Sequence, residues 1–207
     1  MKAIDGLVTT TGMPYWASIA VLTLGIRTLL LPLGIDAFRN TKRMAIVQPE
    51  LDLLKKSMEE DTDTPQMKKA MRFRREMSAL LKANKCSFSR GMIFPVTQLP
   101  LFITFFAALR NMGGYYPGYS TGGTLWFQNL GAPDPNVILP TLTALTFLYV
   151  METGAEGRTG NLTPPMKVAM RGLPLLMVPV TMFTPAGVFV YWTVSNVFSL
   201  SQTAVLK

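Results

Sequence analysis

Pro14–Ile35 reads PYWASIAVLTLGIRTLLLPLGI, an apolar run with a single charge, Arg27, near its middle. A bilayer's hydrocarbon core is roughly 30 Å thick and takes about 20 apolar residues to cross as a helix. The run is therefore long enough to span a membrane. Arginine stays protonated at any relevant pH, so Arg27 cannot reduce its burial cost by neutralising. The nearer end of the run is about eight or nine residues away, roughly 13 Å at 1.5 Å per residue. That is too far for a side chain that snorkels only from near a helix end. No Asp or Glu stands in the middle of another apolar segment, so the sequence offers no obvious counter-ion there. A charge so placed generally faces a water-filled cavity and marks function.

Working outward, the other apolar residues are clustered in the same way. The sequence predicts five membrane segments, at about 14–36, 92–110, 135–153, 170–184 and 186–205. Each is continuous rather than alternating, which excludes the strands of a membrane barrel. Lipid offers no water to backbone N–H and C=O groups, so the spans are expected to be helices. The fold class is thus an all-α polytopic membrane protein, with residues 1–207 as one unit.

The net charge of +8 raises nucleic acid as a partner, but its placement points to membrane topology. Thirteen of the 20 Lys and Arg residues lie in 38–91. Arg158, Lys167 and Arg171 lie between the third and fourth segments, Lys207 follows the fifth, and 111–133 has none. With five spans, the 38–91 group, the 158–171 group and the C-terminus all fall on one side. This is the positive-inside pattern, with the N-terminus outside and the C-terminus inside. Cys86 is alone, so no disulfide framework is expected. Met1–Met13 carries no signal-peptide pattern, and a targeting segment and tails are expected to lie beyond this stretch.

Residues 38–91 are charged, helix-favouring and poor in glycine. Met44, Val47, Leu51, Leu54 and Met58 step by three and four, and Ala70, Phe73, Met77 and Leu80 repeat the pattern. EEDTDTP between them is a turn signal, with Thr64 as N-cap and Pro65 at the first helical position. The pattern predicts an antiparallel helical hairpin on the inside, its first arm kinked or restarted at Pro49. Its basic face is suited to anionic lipid or ribosomal RNA. A solvated linker is the plainer account, and the paired stripes favour the hairpin.

The loop from Asn111 to Asp134 is rich in glycine and aromatics, with Trp126 and Phe127 suited to the membrane interface. ETGAEGRTGNLTPP reads as a flexible connection. Gly172–Phe183 is a short span, about 18 Å as helix unless it begins earlier, around Lys167. It holds Pro174 and Pro179, and TPAG then forces a turn. Such a span thins the bilayer. Prolines in the spans free backbone groups that need partners from neighbours or water, which predicts a loose bundle around a polar space.

Absences narrow the chemistry. There is no histidine and no phosphate-binding loop of the G-x-x-x-x-G-K-[ST] type. Nothing supports an enzyme, a metal centre or a cofactor, and none is expected. The polar residues inside the spans carry the second clue. Gln98 and Thr97 stand in FPVTQLPLF, Thr141, Thr143 and Thr146 in LPTLTALTF, and Trp192, Ser195, Asn196, Ser199 and Gln202 in the last span. The 192/196/199 and 195/199/202 spacings each share a helical face. Taken singly, such residues more often join helices, and Trp192 equally suits an interface belt. Together with Arg27 they point to a shared polar cavity.

These residues also carry a resemblance. TGMPYWASIAVLTLGIRTLLLPL, a charged hairpin, FPVTQLPLFITFFAALR, TGGTLWFQNL with PDP, and VYWTVSNVFSLSQ follow in the order of the YidC/Oxa membrane-protein insertase family. The resemblance covers nearly the whole chain, and TGGTLWFQNL and METGAE look closer to the mitochondrial branch. It implies five helices around a hydrophilic groove, open to the inside and to lipid and closed outside. Arg27 matches the family's groove arginine, and Trp192 falls near a groove position. Gln98, Thr143, Thr146, Asn196 and Ser199 are groove candidates from depth and polarity. The implied function is insertion of nascent hydrophobic segments, with translocation of their short flanks, without nucleotide hydrolysis. The implied partners are nascent membrane proteins and the lipid bilayer. A mitochondrial ribosome contact through a tail beyond Lys207, respiratory complex assembly and oligomerisation stay open. The implied location is the mitochondrial inner membrane, N-terminus in the intermembrane space and C-terminus in the matrix, with a bacterial plasma membrane as the alternative. A small anion-binding transporter or channel and a non-inserting assembly factor are the competing functions. An inverted repeat would favour a transporter, and none is visible.

The charge pattern sets a test. Single cysteines near Lys68 and Tyr119, labelled from each side of sealed vesicles, are expected to react from opposite sides. Labelling of both from one side would contradict the topology.

Overall fold

The computed structural model describes residues 1–61, 65–153 and 164–206. Outside them lie the expected cap Thr64, the inside connection with Arg158, and Lys207. The described residues form eight α-helices and one short 3-10 helix. They are α1 (Lys2–Thr11), α2 (Tyr15–Leu29), α3 (Leu31–Glu60), α4 (Gln66–Ala83), α5 (Phe88–Met112), the 3-10 turn Pro117–Ser120, α6 (Ile138–Thr153), α7 (Pro164–Thr181) and α8 (Ala186–Leu206).

The first apolar run is not one helix. It breaks at Leu30, and Pro32 sits in the first turn of α3. Proline lacks an N–H and its ring clashes with the carbonyl four residues back, so α2 ends where that clash would fall. α3 then runs without a break from the apolar run into the basic region. Pro49 lies inside α3 and neither ends nor restarts it. It is exposed, so water can meet the carbonyl that its missing N–H leaves open. Pro65 sits at the N-cap of α4 rather than at its first helical position.

Helix α4 turns back beside α3. Val47 and Leu51 are buried with Leu81 and Cys86, and Met44, Met77 and Leu80 pack against them. Nearer the turn the apolar stripes loosen: Leu54, Met58 and Phe73 are half-buried and Ala70 is exposed. At the base, buried Asn40 grips the connection after α4. Its Nδ2 donates to the Ser87 carbonyl and its Oδ1 accepts from the Ser87 N–H, both at 2.9 Å.

A helix the sequence reading did not anticipate opens the chain. α1 buries Ile4, ends on Gly12 at φ 71°, and meets α2 at 116°. Left-handed backbone at a helix C-terminus suits glycine, which has no Cβ to clash. Tyr15 donates from its hydroxyl to Asp5 Oδ1 at 2.7 Å, pinning α1 across the mouth of the bundle.

The main apolar core sits at this same end. Ile4, Ile19, Leu109, Met112, Tyr119, Leu130 and Phe189 are all buried there. The loop after α5 folds over it as a cap. Trp16 donates to the Gly122 carbonyl at 3.0 Å, Ala186 to Ala132 at 2.8 Å and Gly187 to Leu130 at 3.0 Å. Asp134 is buried and ends the cap: its carboxylate accepts from the N–H groups of Asn136 at 3.0 Å and Leu139 at 2.7 Å, fixing the start of α6. Tyr119 is fully buried against Gly187, and burial pushes its hydroxyl's pKa up.

Beyond the cap, the sides of the bundle are apolar. Ile103, Leu145, Leu176, Val180 and Phe183 are exposed, as are Leu99 and Val96 on α5. Among the described residues α5 alone is long and apolar enough by itself to cross a membrane, with mean hydropathy 1.8; α1 and α2 meet that standard only as a bent pair. α6 is shorter than its expected segment, 16 residues, because Asp134–Val137 is spent on the turn that starts it. α7 begins at Pro164, earlier than 170, and Pro174 and Pro179 lie inside it. Its 18 residues correspond to about 27 Å, so the short-span expectation gives way to a helix of ordinary length.

The cap supplies a test. A Cβ at residue 187 would collide with the Tyr119 hydroxyl. Gly187→Ala is expected to destabilise the fold by about 1–3 kcal/mol, the usual range for overpacking. Thermal denaturation in detergent reads this, and Gly6→Ala, which meets open space, serves as the control.

Candidate functional site

The site is organised by α8. Its apolar first turns, Ala186–Tyr191, lie in the capped core, and its later turns bury Ser195, Asn196, Ser199 and Thr203. Polar burial of that density in a helix with an apolar exterior requires partners from neighbouring helices.

The first partner is Arg27. The buried face of α2 carries Tyr15, Ile19, Thr23 and Arg27, spaced by four, so the guanidinium points at α8. Arg27 is only 5% exposed. Its Nε donates to Ser195 Oγ at 2.8 Å, and Nη2 reaches the same oxygen. Arg27 also lies in the last turn of α2. Carbonyls at a helix C-terminus lack intrahelical donors and carry partial negative charge, which favours a cation there. The Pro32 break thus puts a helix end beside Arg27, where a continuous span would have placed it in mid-helix.

A second polar set joins α6 to α8. Thr143 and Thr193 share a hydroxyl hydrogen bond at 2.8 Å. Asn196 Nδ2 donates to Thr146 Oγ1 at 3.1 Å and approaches the Thr143 carbonyl at 3.4 Å. Thr143 and Asn196 are buried, and Thr146 is half-buried. Ser199 is buried on the same helix, its carbonyl accepting from Thr203 Oγ1 at 2.8 Å. Gln202 packs on Gly34 of α3, where any side chain would crowd its amide.

The remaining candidates sit differently. Trp192 is half-buried, edge-on to Phe102 with ring centroids 5.4 Å apart and 6.3 Å from Phe147. With Pro140, Thr143, Met177 and Val178 it lines a small apolar gap between α6 and α7. Its ring is therefore wedged between α5 and α6. Gln98 is half-buried. Two participants were not among the groove candidates: Ser195, which the sequence placed only in the wider polar set, and Thr193. Ser195 had a signal, its shared face with Ser199 and Gln202. Thr193 had none beyond lying in the last span.

The arrangement is a permanent cation and a set of neutral hydroxyls and amides, held inside a bundle with an apolar exterior. It provides charge attraction and hydrogen-bonding capacity within an apolar bundle. That inside-out distribution defines a class, the α-helical membrane proteins with a polar interior.

The comparisons agree. A family model described as 60Kd inner membrane protein matches residues 6–207. The chain is 38% identical to the mitochondrial inner membrane protein OXA1 of Arabidopsis thaliana, covering 100% of this chain and 48% of that protein. It is 36% identical to OXA1L of Mus musculus, over 95% of this chain and 46% of that one. It is 31% identical to OXA1 of Saccharomyces cerevisiae, over 95% and 48%. The chain therefore belongs to the 60Kd inner membrane protein family, the YidC/Oxa family that its motifs resemble. It spans about half the length of the curated relatives it matches. A crystal structure of an active YidC insertase with its first transmembrane domain resolved aligns with a TM-score of 0.60 at 19% identity, over 98% of this chain and 43% of that one. That likeness extends the relationship to the fold.

Ser195 provides the test of the site's build. Ser195→Ala removes a hydroxyl that accepts two bonds from a buried guanidinium. The expected loss is about 1–3 kcal/mol of stability, the usual penalty for unmet buried polar groups, measured by thermal denaturation. Arg27→Lys keeps the charge but not the planar fork, so it is expected to lose a similar amount. Full retention of stability in both would show that the pair carries no structural energy.

Proposed function

We propose that the protein is a membrane-protein insertase that integrates nascent hydrophobic segments and passes their short hydrophilic flanks across the bilayer without nucleotide hydrolysis. One observation carries this reading: a cation buried on a polar helix face, inside a bundle with an apolar exterior, in a chain of this family. Five spans, formed by α2 with the start of α3, α5, α6, α7 and α8, surround the polar face. The α3–α4 pair projects into the inside compartment. The site is the mitochondrial inner membrane, the location named for the OXA1 relatives, with the N-terminus in the intermembrane space and the C-terminus in the matrix. Nascent membrane proteins and lipid are the partners.

The mechanism follows from where the energy lies. Moving an apolar segment into lipid is favourable by itself, whereas a central charge costs roughly 2.5–3.5 kcal/mol on insertion scales. The barrier is therefore the flank. Arg27 attracts acidic groups in that flank. Thr143, Thr146, Asn196 and Ser199 replace part of its water, so dehydration occurs in two stages. Trp192 and Gln98 line the approach between α5 and α8. The apolar segment leaves sideways into lipid, while the Tyr119 cap keeps the opposite end closed to ions.

Reconstitution tests this. Vesicles containing the protein, without nucleotide, are expected to insert a single-span substrate, read by protease protection of its flank. Arg27→Ala is expected to reduce insertion several-fold for acidic flanks and less for neutral ones. Equal insertion by wild type and Arg27→Ala across both substrates would remove Arg27 from the mechanism. Steady ion conduction without insertion would favour the transporter reading.

A further inference from the structure

The end of the bundle away from the cap carries a feature that insertion does not use. Between α3 and the start of α5 lies a cleft of about 360 Å³, lined by Leu33, Asp36, Arg39, Arg43, Lys85, Arg90 and their neighbours. Its volume falls within the range of small-ligand sites. Four cations face one carboxylate, Asp36, so the cleft is strongly positive. Arg39, Lys85 and Arg90 are exposed and form no ion pair with a described residue. Like charges are gathered here at an electrostatic cost that no carboxylate among the described lining residues offsets beyond Asp36.

The cleft is built rather than incidental. Asn40, only 4% exposed, clamps Ser87 by two hydrogen bonds of 2.9 Å. Arg43 donates to the Lys85 carbonyl at 3.1 Å. Lys85 itself adopts φ 53°, a left-handed turn that tightens the connection into α5. Ser87 is the N-cap residue of α5, so the partial positive charge of a 25-residue helix adds to the side chains. The floor, by contrast, is apolar. Leu33 and Ile93 line it, and exposed Met92, Val96 and Leu99 continue from it along α5.

We propose that this cleft is a binding site for an anionic phospholipid, its phosphate held by Arg39, Lys85 and Arg90 and its acyl chains lying along Ile93, Val96 and Leu99. The joined chemistry selects the ligand. A guanidinium pair suits a phosphate's oxygens, and an apolar track leading from the charge into a span suits an amphiphile. RNA would use the cations but not the track. The lipid would tie α3 to α5 at the membrane surface and set the depth at which the α3–α4 pair stands. The proposal rests on the reading that α5 spans the bilayer.

Thermal denaturation of the full chain in neutral detergent tests it, with dioleoyl phosphatidylglycerol, dioleoyl phosphatidylcholine, inorganic phosphate or poly(U) RNA added separately. Phosphatidylglycerol is expected to raise the Tm by several degrees, and phosphatidylcholine and phosphate to leave it in place. The Arg39→Gln/Arg90→Gln double variant is expected to lose the shift, and Arg74→Gln/Arg75→Gln, with the same charge change outside the cleft, to keep it. Lys85→Gln, which leaves the Arg43 bond to the residue 85 carbonyl intact, is expected to reduce the shift and serves if the double variant does not fold. An equal shift with phosphate would assign the cleft to a free anion. A shift with poly(U) alone, lost in the double variant, would assign it to RNA. An undiminished phosphatidylglycerol shift in the cleft variants would overturn the site. Flotation with phosphatidylcholine vesicles separates the two failures: a protein that does not float refutes the membrane reading, and one that floats without a phosphatidylglycerol shift refutes only the lipid site.

Discussion

A guanidinium that cannot lose its proton is buried in an apolar bundle, and the rest of the architecture answers to it. Burying such a charge without partners is costly enough to preclude a stable fold. Three features offset that cost here. Ser195 accepts two bonds from Arg27. The Pro32 break places Arg27 at a helix C-terminus. The third is α8, which carries a polar face along most of its length and so makes the guanidinium part of a network. Thr143, Thr146, Thr193 and Asn196 extend that network to α6.

The two ends of the bundle complement this middle. At one end, Tyr119 seated on Gly187, the Asp134 carboxylate at the start of α6 and the lid formed by α1 make a dry, tightly packed cap. At the other end the contacts are sparse and the charges many. Among the described residues, only Val47, Leu51, Leu81 and Cys86 form a buried cluster between α3 and α4. A structure firm at one end and loosely held at the other suits a protein whose substrate enters from the loose side.

Arg27 was legible in the sequence because a lone charge in an apolar run has few explanations. The helical character of the apolar segments followed from continuous hydrophobicity, and the polar contacts of Thr143, Thr146 and Asn196 from their place within those segments. What escaped had weaker local signals. Ser195 stood among similar residues, and only the packing of α2 on α8 distinguishes it. α1 is ten residues long and is held by Ile4 and the Asp5–Tyr15 bond, both tertiary. Pro49 predicts a kink or restart of its arm; α3 does not restart there, and the exposed site lets water serve the freed carbonyl. Trp192, which the sequence left between a groove and an interface position, packs its ring between Phe102 and Phe147. The basic cleft joins residues about 50 positions apart, Arg39 to Arg90, and no periodicity reports such a meeting.

The central claim is that the polar face of α8 receives the translocating flank. Photo-crosslinking to a stalled nascent chain tests it most directly. A crosslinker at Trp192 or Thr146 is expected to capture the flank, and one at Val205 or Phe183, both exposed on the apolar exterior, is not. Capture from the exterior positions with none from Trp192 and Thr146 would contradict the account.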